Sequence, residues 1–273
     1  HRLNRRQRQM CIRDSSYTAK VFKTVWVSDV HLGTKGSRAK EFLEFLKTIE
    51  CEKIFLVGDI VDGWQLSKRW YWPQTHNDVV QKILEKAKRG TEIIFIPGNH
   101  DEVARDFIGL TMGGIKVKDD DIHYTADGKK FWVVHGDLFD NVIQHARWLA
   151  YIGDWAYVFL LKTNAVFNAI RRLFKLPYWS LSQYLKSKVK LAVSFMSAFE
   201  KSIATETRRR GCDGVICGHI HKAEMKMVED IMYANDGDWV ESMTALVENF
   251  DGKLEIIEWS KTKGKLTPVE GVK

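Results

Sequence analysis

Five short runs of β-branched and aromatic residues set the pattern of this chain, and each stops on a polar cluster: TVWVSDVH (24–31), KIFLVGD (53–59), EIIFIPGNHD (92–101), KFWVVHGD (130–137) and DGVICGHIH (213–221). Apolar runs of this length, bounded by glycine and acid, read as buried strands. Helical patterns sit between the first three, at 37–49 (SRAKEFLEFLKTI) and 76–88 (HNDVVQKILEKAK), the second closed by Gly90. Strand and helix in alternation predict an α/β fold with a largely buried sheet. After residue 230 the pattern changes, and Asp251-Gly252 between two apolar runs is a hairpin signal, so a more antiparallel sheet edge is expected there.

With 273 residues and 45% hydrophobic content, the chain can bury a full core as one large domain or as a domain carrying an insertion. The formal charge is +7, but residues 1–15 hold five Arg against one Asp, so the remainder is only mildly basic. Residues 1–20 lack any periodicity and read as a disordered basic tail or a cloning scar, and 263–273 as a C-terminal tail. The four cysteines show no CxxC pair, which fits a reducing, cytoplasmic compartment and argues against a thiolate metal site. A helical insertion is expected over about 141–210, broken near its middle by Pro177, and no run in it reaches the ~18 apolar residues that a membrane-spanning helix needs.

The chemistry is expected where the strands end, the edge at which open α/β sheets bind ligands. Asp29 and His31 are two positions apart, as are His219 and His221; were the chain extended there, each pair would point to one side. A lone histidine is more often a core or surface group than a ligand. Taken together, Asp29, His31, Asp59, Asn99, His135, His219 and His221 offer only nitrogen and oxygen donors, too many for one open site and suited to two divalent ions sharing a carboxylate.

The five motifs, Asp29-Val30-His31, Gly58-Asp59, Gly98-Asn99-His100-Asp101, His135-Gly136 and Gly218-His219-Ile220-His221, resemble in kind and order those of the calcineurin-like metallophosphoesterase superfamily. The resemblance implies a four-layer αββα sandwich with a helical cap inserted in a domain of residues 21–262. It implies one metal on Asp29, His31, Asp59 and His221 and another on Asp59, Asn99, His135 and His219. His100 would act on the leaving oxygen or the phosphorus. Asp101 would orient His100, or else serve as a turn residue or helix cap.

Within that superfamily, GDIVDGW (58–64), TADG (125–128), HGDLFD (135–140), the cap and NDGDWVE (235–241) resemble the UDP-2,3-diacylglucosamine pyrophosphohydrolases and their paralogues. That branch implies two manganese ions, an amphiphilic nucleotide-sugar lipid as substrate, UMP as product, and peripheral association with the cytoplasmic face of the inner membrane, with no nucleic acid as partner. Residues 148–161 are aromatic and apolar, and 162–201 carry eight Lys or Arg against the single acid Glu200, a composition suited to an amphiphile. An ordinary helical subdomain with solvated lysines is the alternative. Arg147, Lys186, Lys188 and Lys190 are candidates to pair with the diphosphate, against plain solvation of a helix face. Trp64 and Tyr184 are candidates to contact the base or acyl chain, against core packing. Asp236 and Asp238 are candidates to orient metal ligands, against an Asp-Gly turn. Two departures stand out: the better characterised branch has Arg where this chain has His100, and Arg-Pro where it has Lys222-Ala223. A nucleotide phosphodiesterase or nuclease, suggested by the basic pI, and a non-catalytic scaffold on the same fold remain the other readings.

Overall fold

The computed structural model describes residues 20–142, 181–260 and 265–268. In chain order the elements are β1 (Lys20–Val27), α1 (Ala39–Thr48), β2 (Ile49–Val57), α2 (Gly63–Lys68), α3 (Gln74–Lys88), β3 (Glu92–Ile96), a 3-10 turn (Glu102–Phe107), β4 (Thr111–Met112), β5 (Ile115–Val117), β6 (Asp121–Tyr124), β7 (Lys130–Val133), a second 3-10 turn (Asp137–Val142), α4 (Leu181–Arg209), β8 (Gly214–Cys217), β9 (Glu224–Val228), β10 (Ile231–Asn235), β11 (Thr244–Glu248), β12 (Leu254–Ser260) and β13 (Lys265–Pro268).

They form two sheets. The first runs β13-β12-β11-β1-β2-β3-β5-β4 and the second β6-β7-β8-β10-β9. β1, β2, β3 and β5 are parallel, as are β7, β8 and β10. All five motif strands therefore end at the same edge of their sheet. Side-chain alternation divides the apolar residues into layers. Val25, Val27, Ile54 and Leu56 pack with Phe42 and Phe45 of α1 and Val79 and Ile83 of α3. Their neighbours Trp26, Phe55 and Val57 turn the other way and meet Phe131, Val133 and Ile216 of the second sheet. Trp132, Val215 and Cys217 cover that sheet's outer face together with Phe199, Ile203 and Ala204 of α4. Helix, sheet, sheet, helix is the resulting order, as expected.

As expected, the hairpin through Asp251-Gly252 joins β11 to β12 in an antiparallel sheet edge, and it extends the first sheet by pairing β11 with β1. Two boundaries differ from the sequence reading. Residues 265–268, expected in a C-terminal tail, form β13, because Leu266 is buried against the β12 side and Lys20 Nζ donates to its carbonyl at 2.9 Å. The insertion is shorter as a cap than expected, since α4 from about Phe199 onward belongs to the sandwich core. The proposed cap segments at 143–180 lie outside the described residues. Among the described residues no helix is long and apolar enough to cross a membrane.

Candidate metal centre

The motif strands stop short of their polar residues, and the chain bends sharply there. Asp29 (φ 50°), His31 (51°), Asp59 (53°), His219 (70°) and His221 (54°) all occupy the left-handed region. The expectation of an extended Asp-x-His and His-x-His is thus corrected: alternate residues converge because each is folded inward, not because a strand continues. Such a conformation costs a non-glycine residue roughly 1–2 kcal/mol. A ladder between loops offsets it: Asp29 N–H donates to Gly58 O (3.0 Å), His31 N–H to Asp59 O (2.9 Å), Leu32 N–H to Ile60 O (2.9 Å), and Trp239 N–H to Asp29 O (3.0 Å).

Two glycines admit this crowding. A Cβ on Gly98 would lie 2.4 Å from Asp59 Oδ1 and 2.6 Å from His135 Nε2, and one on Gly58, itself at φ 80°, would meet the His135 ring at 2.3 Å. No larger residue fits either position without displacing a donor.

Six of the seven expected donors come together, and the seventh, Asn99, follows Gly98, whose Cα lies against Asp59 and His135. One oxygen or nitrogen each from Asp29, His31 and His221 lies within 4.8 Å of the others, as do those of Asp59, His135 and His219, and those of His31, Asp59 and His100. Asp59 joins the clusters: its Oδ2 is 3.8 Å from His31 Nε2 and its Oδ1 3.5 Å from His135 Nε2. His31 Nε2, Asn99 Oδ1 and His135 Nε2 are buried with no hydrogen-bond partner, and Asp29 Oδ1 and His221 Nε2 face each other at 2.9 Å. Buried polar atoms left without partners are costly in an apolar site and are what a cation requires. The donors therefore fit divalent ions by composition and by geometry.

The opposite side of each donor is engaged, which fixes its direction. His135 Nδ1 donates to Val57 O at 2.7 Å, so its Nε2 is the atom left to face a cation. Asp29 Oδ2 accepts from His219 N–H (2.8 Å) and lies 2.7 Å from Ser28 Oγ. Asp59 Oδ1 accepts from His100 N–H at 2.8 Å. Burial opposes the charged form of the His31 imidazole, yet Asp29, Asp62 and Asp59 outweigh it and push its pKa up to about 10. His135 rises to about 10 in the same way, burial being outweighed by Asp59 and Asp29. Despite burial, the Asp29 and Asp59 carboxyls are held below their usual range, chiefly by His221 and His135 respectively.

Asp62 was not among the residues singled out in the sequence. Its Oδ2 lies 3.2 Å from His31 Nδ1 and 3.1 Å from His100 Nδ1, and its Oδ1 accepts from Gln65 N–H at 2.8 Å to cap α2. The only sequence signal was its place three residues after Asp59 in GDIVDGW. Asp101 does not orient His100. Its carboxylate instead accepts from the backbone N–H groups of Gly98 (2.6 Å), Ile60 (2.8 Å), Asp59 (3.3 Å) and Val61 (3.3 Å), so it clamps two motif loops together.

Asp236 Oδ1 lies 2.6 Å from Ser28 Oγ. Burial beside Asp29 holds Asp236 well above the usual carboxylate range. Neutral Asp236 can donate to Ser28, which is left to donate to Asp29 Oδ2. Asp238 takes the other alternative: it accepts from Val240 N–H (2.7 Å), Glu241 N–H (2.5 Å) and Ser242 Oγ (2.8 Å), a turn contact away from the donors. Trp64 is 43% exposed with its ring 4.5 Å from that of His100, so it borders the centre instead of filling the core. Tyr184, Lys186, Lys188 and Lys190 lie along the N-terminal part of α4, where the side chains are outside the described structure, and Arg147 lies outside the described residues.

A family model described as calcineurin-like phosphoesterase matches residues 22–223. The chain belongs to that family. It is a metallophosphoesterase by its motifs, its two-sheet fold and its donor clusters. It is similar to the UDP-2,3-diacylglucosamine hydrolase of Blochmanniella pennsylvanica, 26% identical over 208 residues that cover 72% of this chain and 78% of that protein. It is likewise similar to the protein of that name from Chromohalobacter salexigens, 23% identical over 206 residues covering 73% and 80%. Among solved structures, vacuolar protein sorting 29 of Cryptosporidium parvum aligns at a TM-score of 0.46 and 12% identity, over 90% of this chain and 94% of that one.

Proposed function

We propose that this metallophosphoesterase hydrolyses the diphosphate bond of UDP-2,3-diacylglucosamine, yielding UMP and 2,3-diacylglucosamine 1-phosphate. The observation that carries the reading is the pair of donor clusters joined through Asp59, in a chain whose relatives bear that substrate in their names. Asp29, His31, Asp59 and His221 would hold one cation and Asp59, Asn99, His135 and His219 the other, with manganese as the proposed ion. Two dications held there would supply Lewis acidity towards phosphoryl oxygens and make water more acidic.

The residues do the rest. Water's oxygen bonds to phosphorus in line as the P–O bond to the leaving phosphate breaks, and the proton that water loses passes to solvent. His100, its Nδ1 turned to Asp62 and its Nε2 4.0 Å from Asp59 Oδ2, is placed to give a proton to the departing oxygen. Trp64 offers an exposed aromatic face beside it for the nucleobase or an acyl chain.

Peripheral attachment to an anionic membrane is part of the proposal. Trp70 is 74% exposed, and Lys68 and Arg69 are exposed with no ion pair to another described residue. Aromatic and basic groups in one stretch suit the headgroup layer. Val103 and Leu138 are exposed as well, and the Trp64 Nε1–Glu102 bond (3.2 Å) ties the first 3-10 turn to α2.

The test is UMP release from UDP-2,3-diacylglucosamine by purified protein with Mn²⁺, against a metal-stripped control. Metal-dependent release supports the reading. No release, with turnover of bis(4-nitrophenyl) phosphate intact, would favour another phosphodiester or nucleotide substrate, the second reading that His100 in place of Arg and Lys222-Ala223 in place of Arg-Pro keep open.

A further inference from the structure

The second proposed cation depends on two loops from different sheets. Asn99 follows β3 in the first sheet, and His135 follows β7 in the second. Two sheets packed face to face can slide or part slightly at their edges, whereas a metal site tolerates only about half an ångström of misplacement. Something has to hold the two loops in register.

Arg105 crosses that gap. It sits on the 3-10 turn that continues the Asn99 loop, and its Nη2 donates to Asp137 Oδ2 at 2.5 Å. Asp137 is two residues after His135 and its side chain is only 7% exposed. The same Nη2 reaches to 3.5 Å from Pro97 O, two residues before Asn99. One guanidinium nitrogen thus touches both loops, outside the ring of donors. Arg105 Nε is buried with no hydrogen-bond partner, so the hydrogen bonds of this side chain to the two loops run through Nη2.

Neither residue is among the proposed metal donors, and the pair is charge-assisted with its carboxylate end buried, which strengthens the bond. We propose that Arg105 is a positioning residue which, through Asp137, sets the separation of Asn99 and His135 and so the affinity for the second cation. This rests on the two-cation reading above. A Lys at 105 keeps the charge but ends in a more strongly hydrated ammonium on a differently shaped stem, so it should restore part of the effect.

The experiment is Mn²⁺ binding by equilibrium dialysis on the wild type, Arg105→Ala, Arg105→Lys and Asp137→Asn, with electron paramagnetic resonance of the loaded proteins and thermal melts without metal. The expected result is two equivalents in the wild type. In Arg105→Ala and Asp137→Asn the first equivalent binds as in the wild type and the second at least tenfold more weakly. The spin-coupled spectrum should then give way to that of isolated Mn²⁺, Arg105→Lys should fall between, and the metal-free melts should shift little. Two equivalents at wild-type affinity in Arg105→Ala would overturn the proposal while leaving the two-cation reading intact. So would equal weakening of both equivalents with a large fall in the metal-free melting temperature, the mark of a general structural role. Fewer than two equivalents in the wild type would overturn the two-cation reading and this inference with it.

Discussion

The imidazole of His100 stands edge-on to that of His31, with ring centroids 4.7 Å apart and planes at 87°. Asp62 Oδ2 lies between their Nδ1 atoms, at 3.1 and 3.2 Å. A proposed metal ligand and the proposed proton donor are therefore oriented by one carboxylate oxygen.

Asp62→Asn should weaken both functions at once. Partners of ligating histidines typically contribute ten- to hundredfold in metal affinity or activity. We expect a loss of about tenfold or more in turnover together with weaker uptake of one Mn²⁺, measured by steady-state kinetics and dialysis on the same preparation. His100→Ala, by contrast, should lose turnover and keep its metal.

Asp101→Ala tests the clamp. It leaves four backbone N–H groups without their acceptor, and each buried orphan costs about 1–3 kcal/mol unless water replaces the carboxylate. Urea unfolding should show destabilisation of at least about 2 kcal/mol. A variant of unchanged stability whose only defect is turnover would restore the orienting role that the sequence suggested.

The pH dependence of the metal-free protein follows from His31 and His135, raised from 6.5 to about 10. A group with a raised folded pKa contributes stability that is fully present below its unfolded value and is lost as pH rises through the folded one. These two histidines should make the metal-free melting temperature fall between pH 6.5 and 10. Metal binding should show the reverse trend, strengthening over that range as it displaces their protons. Calorimetry in buffers of different ionisation enthalpy at pH 8 should detect proton release; its absence would contradict the protonated state.

Membrane attachment has its own test. Each Lys or Arg near an anionic surface contributes about 1 kcal/mol, so a Lys68→Glu, Arg69→Glu variant should bind phosphatidylglycerol-containing vesicles at least about tenfold more weakly. Trp70→Ala should also lose binding, while hydrolysis of a soluble diester stays the same. Sedimentation with vesicles decides, and equal binding by all three proteins would remove this surface from the account.

The strand order at the site was legible because each strand carried both its β-branched core and its terminal donor, as in KIFLVGD and DGVICGHIH. The left-handed bends at Asp29, His31 and His221 were not, since these residue types tolerate that region without advertising it. Asp62, Asp101 and Arg105 act across 31, 42 and 32 residues of sequence separation, and only the closing of the sheets shows which groups they reach. β13 escaped notice because a four-residue edge strand with one buried leucine has too short a pattern to read.

The most direct test of the central claim is the number of Mn²⁺ ions bound per chain, measured on the wild type beside Asp59→Ala. Two in the wild type and at most one in the variant, with hydrolysis abolished, is the expected result. Two equivalents in Asp59→Ala, or a wild type that hydrolyses its substrate with a single ion, would contradict a centre shared through Asp59.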